Sequence, residues 1–186
     1  MRKYAYILAA LLIGSPAAAE WKEYAYVAEG FAVAFPAEPQ YDEIANFEAA
    51  PGKVVPAHSY SVRFNNGLFK ITVADGRDAN LPEDQTVQQA IRRMSAGGQI
   101  KIDFPHRIYR IYGRQMSIAK PDNSITTAAV FFANDRLYQI ESTRFPGGSD
   151  TDLLQFQQSL TFDRNVANRT KAQMDAIRAE IGRAHV

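Results

Sequence analysis

Asn66 and Gly67 lie between two alternating apolar runs in AHSYSVRFNNGLFKITVADG, residues 57–76. This pairing constrains the fold more than any other feature of the chain. A tight primed turn needs positive φ at both central positions, which Asn and Gly reach at the least cost. Tyr60 and Val62 lead in; Phe69, Ile71 and Val73 follow on alternate positions. The stretch therefore predicts an antiparallel hairpin with one apolar face.

The rest of the chain extends that hairpin. WKEYAYVAEGFAVAFP predicts two short strands around Glu29-Gly30, with Phe31, Val33 and Phe35 alternating and Pro36 closing the run. Residues 37–56, rich in Pro, Ala, Glu and Gly, predict a long excursion with at most one weak strand near Ile44–Phe47. Asp84 is placed to cap a helix in which Val87, Ala90, Ile91 and Met94 share a face and which Gly97-Gly98 ends. Strands are expected at 106–112, 114–119, 125–133 and 137–144, the last two joined through Asn134-Asp135. A second helix, Asp150 to Leu160, presents Leu153, Phe156 and Leu160. Strands in hairpin runs exclude regular βαβ alternation. They predict an α+β domain built on a mostly antiparallel sheet.

Residues 1–19 read as a secretory signal: Arg2 and Lys3, the apolar run Tyr4–Gly14, then Ala17-Ala18-Ala19 before Glu20. The apolar run is too short to span a bilayer, which takes about 20 residues. Cleavage between Ala19 and Glu20 leaves 167 of the 186 residues, with 19 basic against 20 acidic. Such a balance gives no global field for nucleic acid. Exported chains often carry disulfides, but this one has no Cys, so its core rests on packing alone. The expected organisation is a signal over 1–19, a single domain over 20–162 and a basic tail over 163–186, frayed or docked. The expected location is the periplasm, or the outside of the cell.

The segments WKEY, GFAVAFPAEP, YSVRFNNGLFKITVAD, YGRQMSI, FFANDRLYQIE and FQQSLTF together resemble the PsbP-like α/β/α sandwich. More narrowly, they resemble small exported proteins of Gram-negative bacteria, many of them uncharacterised. The resemblance runs from Trp21 to Phe162. It implies an antiparallel sheet with helices on both faces. It implies no single activity, since members bind different partners.

Chemistry is sparse. The chain has no metalloprotease helix motif, nucleophile elbow, phosphate loop or dinucleotide fingerprint. His58, His106 and His185 are far apart in sequence, which favours hydrogen-bonded strand-end roles over a zinc site. Asp75, Asp78 and Asp84 are the metal candidates on paper. Their segment departs from an EF-hand at its sixth and twelfth positions, Asn80 and Thr86, so acids entering a helix are the stronger reading. His58 and Ser59 are neighbours on a strand and point to opposite faces, against a hydrolase pair.

PHRIYRIYGRQM, residues 105–116, is the remaining cluster. Read as one strand, 107–112 puts Arg107, Tyr109 and Ile111 on one face and Ile108, Arg110 and Tyr112 on the other. Neither face is clean, as suits an edge strand or a recognition surface. His106, Tyr109, Arg110 and Arg114 are the candidate partner-binding residues. The leading expectation is a non-enzymatic binding or accessory protein without a cofactor, engaging a protein or small ligand through a sheet edge or face. A hydrolase-like enzyme without a recognisable motif and a calcium-responsive module are the alternatives.

Overall fold

A computed structural model describes residues 20–163. The expected signal at 1–19 and nearly all of the expected tail at 163–186 lie outside the described residues.

The central element is a seven-stranded sheet, antiparallel throughout. Its strands, with β1 and β2 preceding them in the chain, are β3 (Gln40–Ala50), β4 (Lys53–Phe64), β5 (Gly67–Asp75), β6 (Gln99–Ile108), β7 (Ile111–Ala119), β8 (Ile125–Ala133) and β9 (Arg136–Arg144). The spatial order is β3-β4-β5-β9-β8-β7-β6, which leaves β3 and β6 at the edges. A small sheet of β1 (Lys22–Tyr26), β2 (Phe31–Phe35) and β10 (Thr161–Phe162) lies against one face, in the order β1-β2-β10.

Alternation along the central strands separates two cores. Phe69, Ile71, Val73, Phe131, Tyr138 and Ile140 point to one face, where β2, Phe162 and helix α2 (Asp150–Ser159) cover them. Ala74, Leu137, Ala128, Val130, Met116 and Ile118 point to the other, where helix α1 (Glu83–Met94) seats Ala90, Ile91 and Met94. Helices on both faces of a large antiparallel sheet are what the sequence predicts.

Several local expectations shift. The hairpin turn is Asn65-Asn66, with φ of 44° and 54°, one residue earlier than the Asn66-Gly67 expectation. Gly67 pairs with Phe64 inside β5. A Cβ there would lie 2.8 Å from the Phe69 ring, so close approach, not positive φ, explains this glycine. Asn134-Asp135 forms the expected turn, with φ of 50° and 56°.

The excursion expected at 37–56 is instead most of a long hairpin, β3–β4. Its composition misleads because β3 is an exposed edge strand, where Ala and Glu are tolerated. Pro56 falls where the β3–β4 register breaks and before the β4–β5 ladder begins, so its missing N–H costs no ladder bond. Asp84 does not cap α1. The N-cap is Pro82, which makes no side-chain cap, while Glu83 and Asp84 sit in the first turn.

The single strand expected across 107–112 is also corrected. Tyr109-Arg110 is the tip of the β6–β7 hairpin, and Ile108 pairs with Ile111. The period of three arises because a turn, not a strand, interrupts the pattern.

Candidate functional site

The predicted recognition residues do not form one patch. In an antiparallel pair, directly opposite residues share a face. His106 faces Gly113 and then Phe131, on the α2 side; Arg114 faces Val130, on the α1 side. The His106 ring packs 5.6 Å from the Phe131 ring, and burial pulls its pKa down. Arg114 forms a two-pronged pair with Asp103, Nε–Oδ1 at 3.0 Å and Nη2–Oδ2 at 2.8 Å. Tyr109 is 63% exposed at the hairpin tip beside Arg110.

A different site is assembled on the α2 side, where the β1–β2 turn (Val27–Gly30) leans over the ends of β4, β5 and β9. It is a cup of about 400 Å³, the size of a small-molecule site. Register places its parts. Tyr41 on β3 lies opposite Tyr60 on β4, and His58 opposite Val73 on β5. Asp75 on β5 lies opposite Arg136 on β9. All these residues share the face that carries Ile71 and Tyr138.

Three tyrosines form one wall. Tyr26 and Tyr60 have ring centroids 4.0 Å apart, and Tyr41 and Tyr60 5.5 Å. Glu29 lies behind them. Its Oε1 pairs with His58 Nδ1, and its side chain is only 13% exposed. Its second oxygen, Oε2, is buried and has no hydrogen-bond partner. The Glu29 main-chain carbonyl accepts a 2.8 Å bond from the Tyr138 hydroxyl, which ties the turn to the large sheet.

The opposite end carries Asp75 between two guanidiniums. Arg77 Nη2 approaches Asp75 Oδ2 at 2.6 Å and Arg136 Nε at 3.5 Å. The second contact is an ion pair without hydrogen-bond geometry, so the buried Arg136 Nε–H has no acceptor. Burial works against ionisation of Asp75, but the Arg77 hydrogen bonds and both positive charges outweigh it and hold its pKa below the ordinary value.

The tyrosines register the field at the Glu29 end. Burial first, then the Glu29 charge, pushes Tyr26 up to about 12. Burial, the Glu29 charge and a hydrogen-bonding interaction with the Glu29 carboxylate raise Tyr60 as well. Burial raises Tyr138 to about 12, with Arg136 opposing and Glu29 assisting.

The sequence reading missed Glu29, Tyr26, Tyr41, Tyr60, Arg77 and Arg136. The only signal was an excess of Tyr in the first 60 residues, and no spacing rule joins positions that meet only through strand register. Of the metal candidates, Asp75 is held by arginines, and a cation would have to displace them. Among the described residues no three His, Asp or Glu side chains converge as a metal cluster. Nor does any described helix have the length and apolar character to cross a membrane. Ser59 is buried and bonds Thr72, turned away from His58.

These features define a PsbP-like sandwich with a tyrosine-walled cup at one end of its sheet. No protein-family model and no curated protein matches the sequence. Among solved structures, the fold is similar to the cyanobacterial PsbP of Synechocystis sp. PCC 6803, with a TM-score of 0.51 at 12% identity, covering 81% of this chain and 98% of that one. A protein of unknown function from Pseudomonas aeruginosa, described as a putative regulator, gives a TM-score of 0.35 at 10% identity, covering 72% of this chain and 86% of that one.

Proposed function

We propose that this chain is an exported, non-enzymatic binding or accessory protein of the periplasm, and that its cup is where it takes a small ligand or a partner's side chain. The observation that carries the reading is one tyrosine-walled cup with two buried polar atoms that make no hydrogen bond, Glu29 Oε2 and Arg136 Nε, the second held only by a 3.5 Å ion pair with Asp75. Leaving such atoms unpaired costs about 1–3 kcal/mol each, and binding sites are where folds retain such costs. Export is supported by the Arg2–Ala19 pattern.

The hydrolase-like reading keeps one specific observation, the Glu29–His58 pair. A carboxylate orienting an imidazole is half of a general-base arrangement.

The test is a small-molecule screen by NMR on the exported chain. Compounds are expected to shift Tyr26, Tyr41 and Val27 and to be recovered unchanged. Chemical conversion of a bound compound, lost in His58→Ala, would establish the enzyme instead. N-terminal sequencing of exported protein is expected to begin at Glu20.

A further inference from the structure

The two ends of the cup differ in charge. At one end a single carboxylate, Asp75, sits between Arg77 and Arg136, leaving one positive charge in excess. At the other end the Glu29 carboxylate pairs through Oε1 with His58 Nδ1, and its Oε2 accepts no hydrogen bond. Each end also holds a buried polar atom without a hydrogen bond: a donor at Arg136, in a 3.5 Å ion pair with Asp75, and an acceptor at Glu29. A site with a carboxylate at one end and a guanidinium in excess of its carboxylate at the other complements a ligand with the groups reversed.

We propose that the cup binds a small ammonium zwitterion, its ammonium against the tyrosine wall at the Glu29 end and its carboxylate toward the Arg77–Arg136 end. This rests on the cup being a binding site. The wall suits an ammonium for a second reason: the faces of aromatic rings attract cations, and Tyr26, Tyr41 and Tyr60 present three rings in contiguous contact.

The buried position of Glu29 Oε2 and Arg136 Nε means that recognition acts through the field and the rings as much as through direct bonds. Charges beneath a low-dielectric surface act more strongly than exposed ones. A phosphate or other pure anion would meet Glu29, and a pure cation would meet the excess guanidinium. A cup of about 400 Å³ holds an amino acid or betaine with room for water.

The test is NMR titration of the exported chain with 4-aminobutanoate, 6-aminohexanoate and glycine betaine, against n-butylamine and butanoate. Zwitterions are expected to shift Tyr26, Tyr41 and Val27 and to bind about tenfold or more tighter than either singly charged analogue, the effect of one charge contact. Preference for betaine would mark a quaternary ammonium source, and preference for the amino acids a primary one; either supports the proposal. Glu29→Gln is expected to weaken zwitterions and butylamine but not butanoate. Arg77→Gln, at an exposed position that leaves the fold intact, is expected to weaken zwitterions and butanoate but not butylamine. Singly charged analogues that bind the cup as tightly as the zwitterions would overturn the proposal while leaving the cup as a binding site. If neither these probes nor a diverse library shifts the cup residues, both readings fail.

Discussion

Tyr109 carries a φ of 54° at the tip of the β6–β7 hairpin. Glycine reaches that region freely, and a bulky aromatic does not. The strain is of order 1–3 kcal/mol, and the ring is 63% exposed, so little packing offsets it. Tyr109→Gly is therefore expected to stabilise the protein by about 1 kcal/mol, a rise in Tm of roughly 3 °C. A fall in Tm in thermal unfolding would show that the ring packs more than its exposure implies. His106 offers the complementary case, a partly buried group with a depressed pKa. The unfolded imidazole titrates near the ordinary value of 6.5, and the folded one lower because burial disfavours the imidazolium. Below 6.5 the unfolded state binds the proton first, so the stability present above that pH is lost as pH falls through the folded value. Stability curves from pH 7 to 5 are expected to slope downward on the acid side and to flatten there in His106→Leu.

Strand β7 shows how closely one element can depend on one atom. A Cβ on Gly113 would stand 2.2 Å from the Val130 carbonyl oxygen and 2.5 Å from the Phe131 ring. The backbone oxygen cannot move aside without breaking the β7–β8 ladder. Gly113→Ala is therefore expected to cost roughly 3 kcal/mol, read by chemical denaturation, with an unchanged m-value. The sequence showed this element as a strand but not this contact. Legibility in the chain follows the same rule. Central strands such as β5 and β9 carry large apolar residues at alternate positions, Phe69, Ile71 and Val73 in one and Tyr138 and Ile140 in the other, and are readable to within a residue. β3 and β6, at the sheet edges, lack a buried face along most of their length, so the first read as an excursion and the second merged with its neighbour across a turn. The site was less legible still. Tyr41 and Tyr60 meet through the β3–β4 hairpin, which the composition of 37–56 conceals, and Asp75 and Arg136 through two strands that pair across a long stretch of chain.

At the scale of the whole molecule, the cup exists only where the small sheet is held against the large one. Two contacts do this beside it. Phe162 of β10 packs edge-on against Phe131 and Tyr138, with centroids at 5.4 and 5.0 Å. The Tyr138 hydroxyl donates to the Glu29 carbonyl in the turn that roofs the cup. Removing the first should act on the fold, and removing the second on the cup. Phe162→Ala is expected to destabilise the protein by about 3–5 kcal/mol, since Phe162 is nearly fully buried between the sheets. Tyr138→Phe keeps the ring and its packing, and removes one hydrogen bond worth about 1 kcal/mol. Its unpaired partner is a carbonyl in a turn, and the turn is expected to loosen while the sheets stay docked. Hydrogen exchange checks this directly: in Tyr138→Phe the amides of Glu29 and Gly30 should exchange faster, while those of β5 and β9 keep their protection. Uniform loss of protection across both sheets would mean that the roof and the core unfold as one unit, and that the cup has no motion of its own with which to admit a ligand.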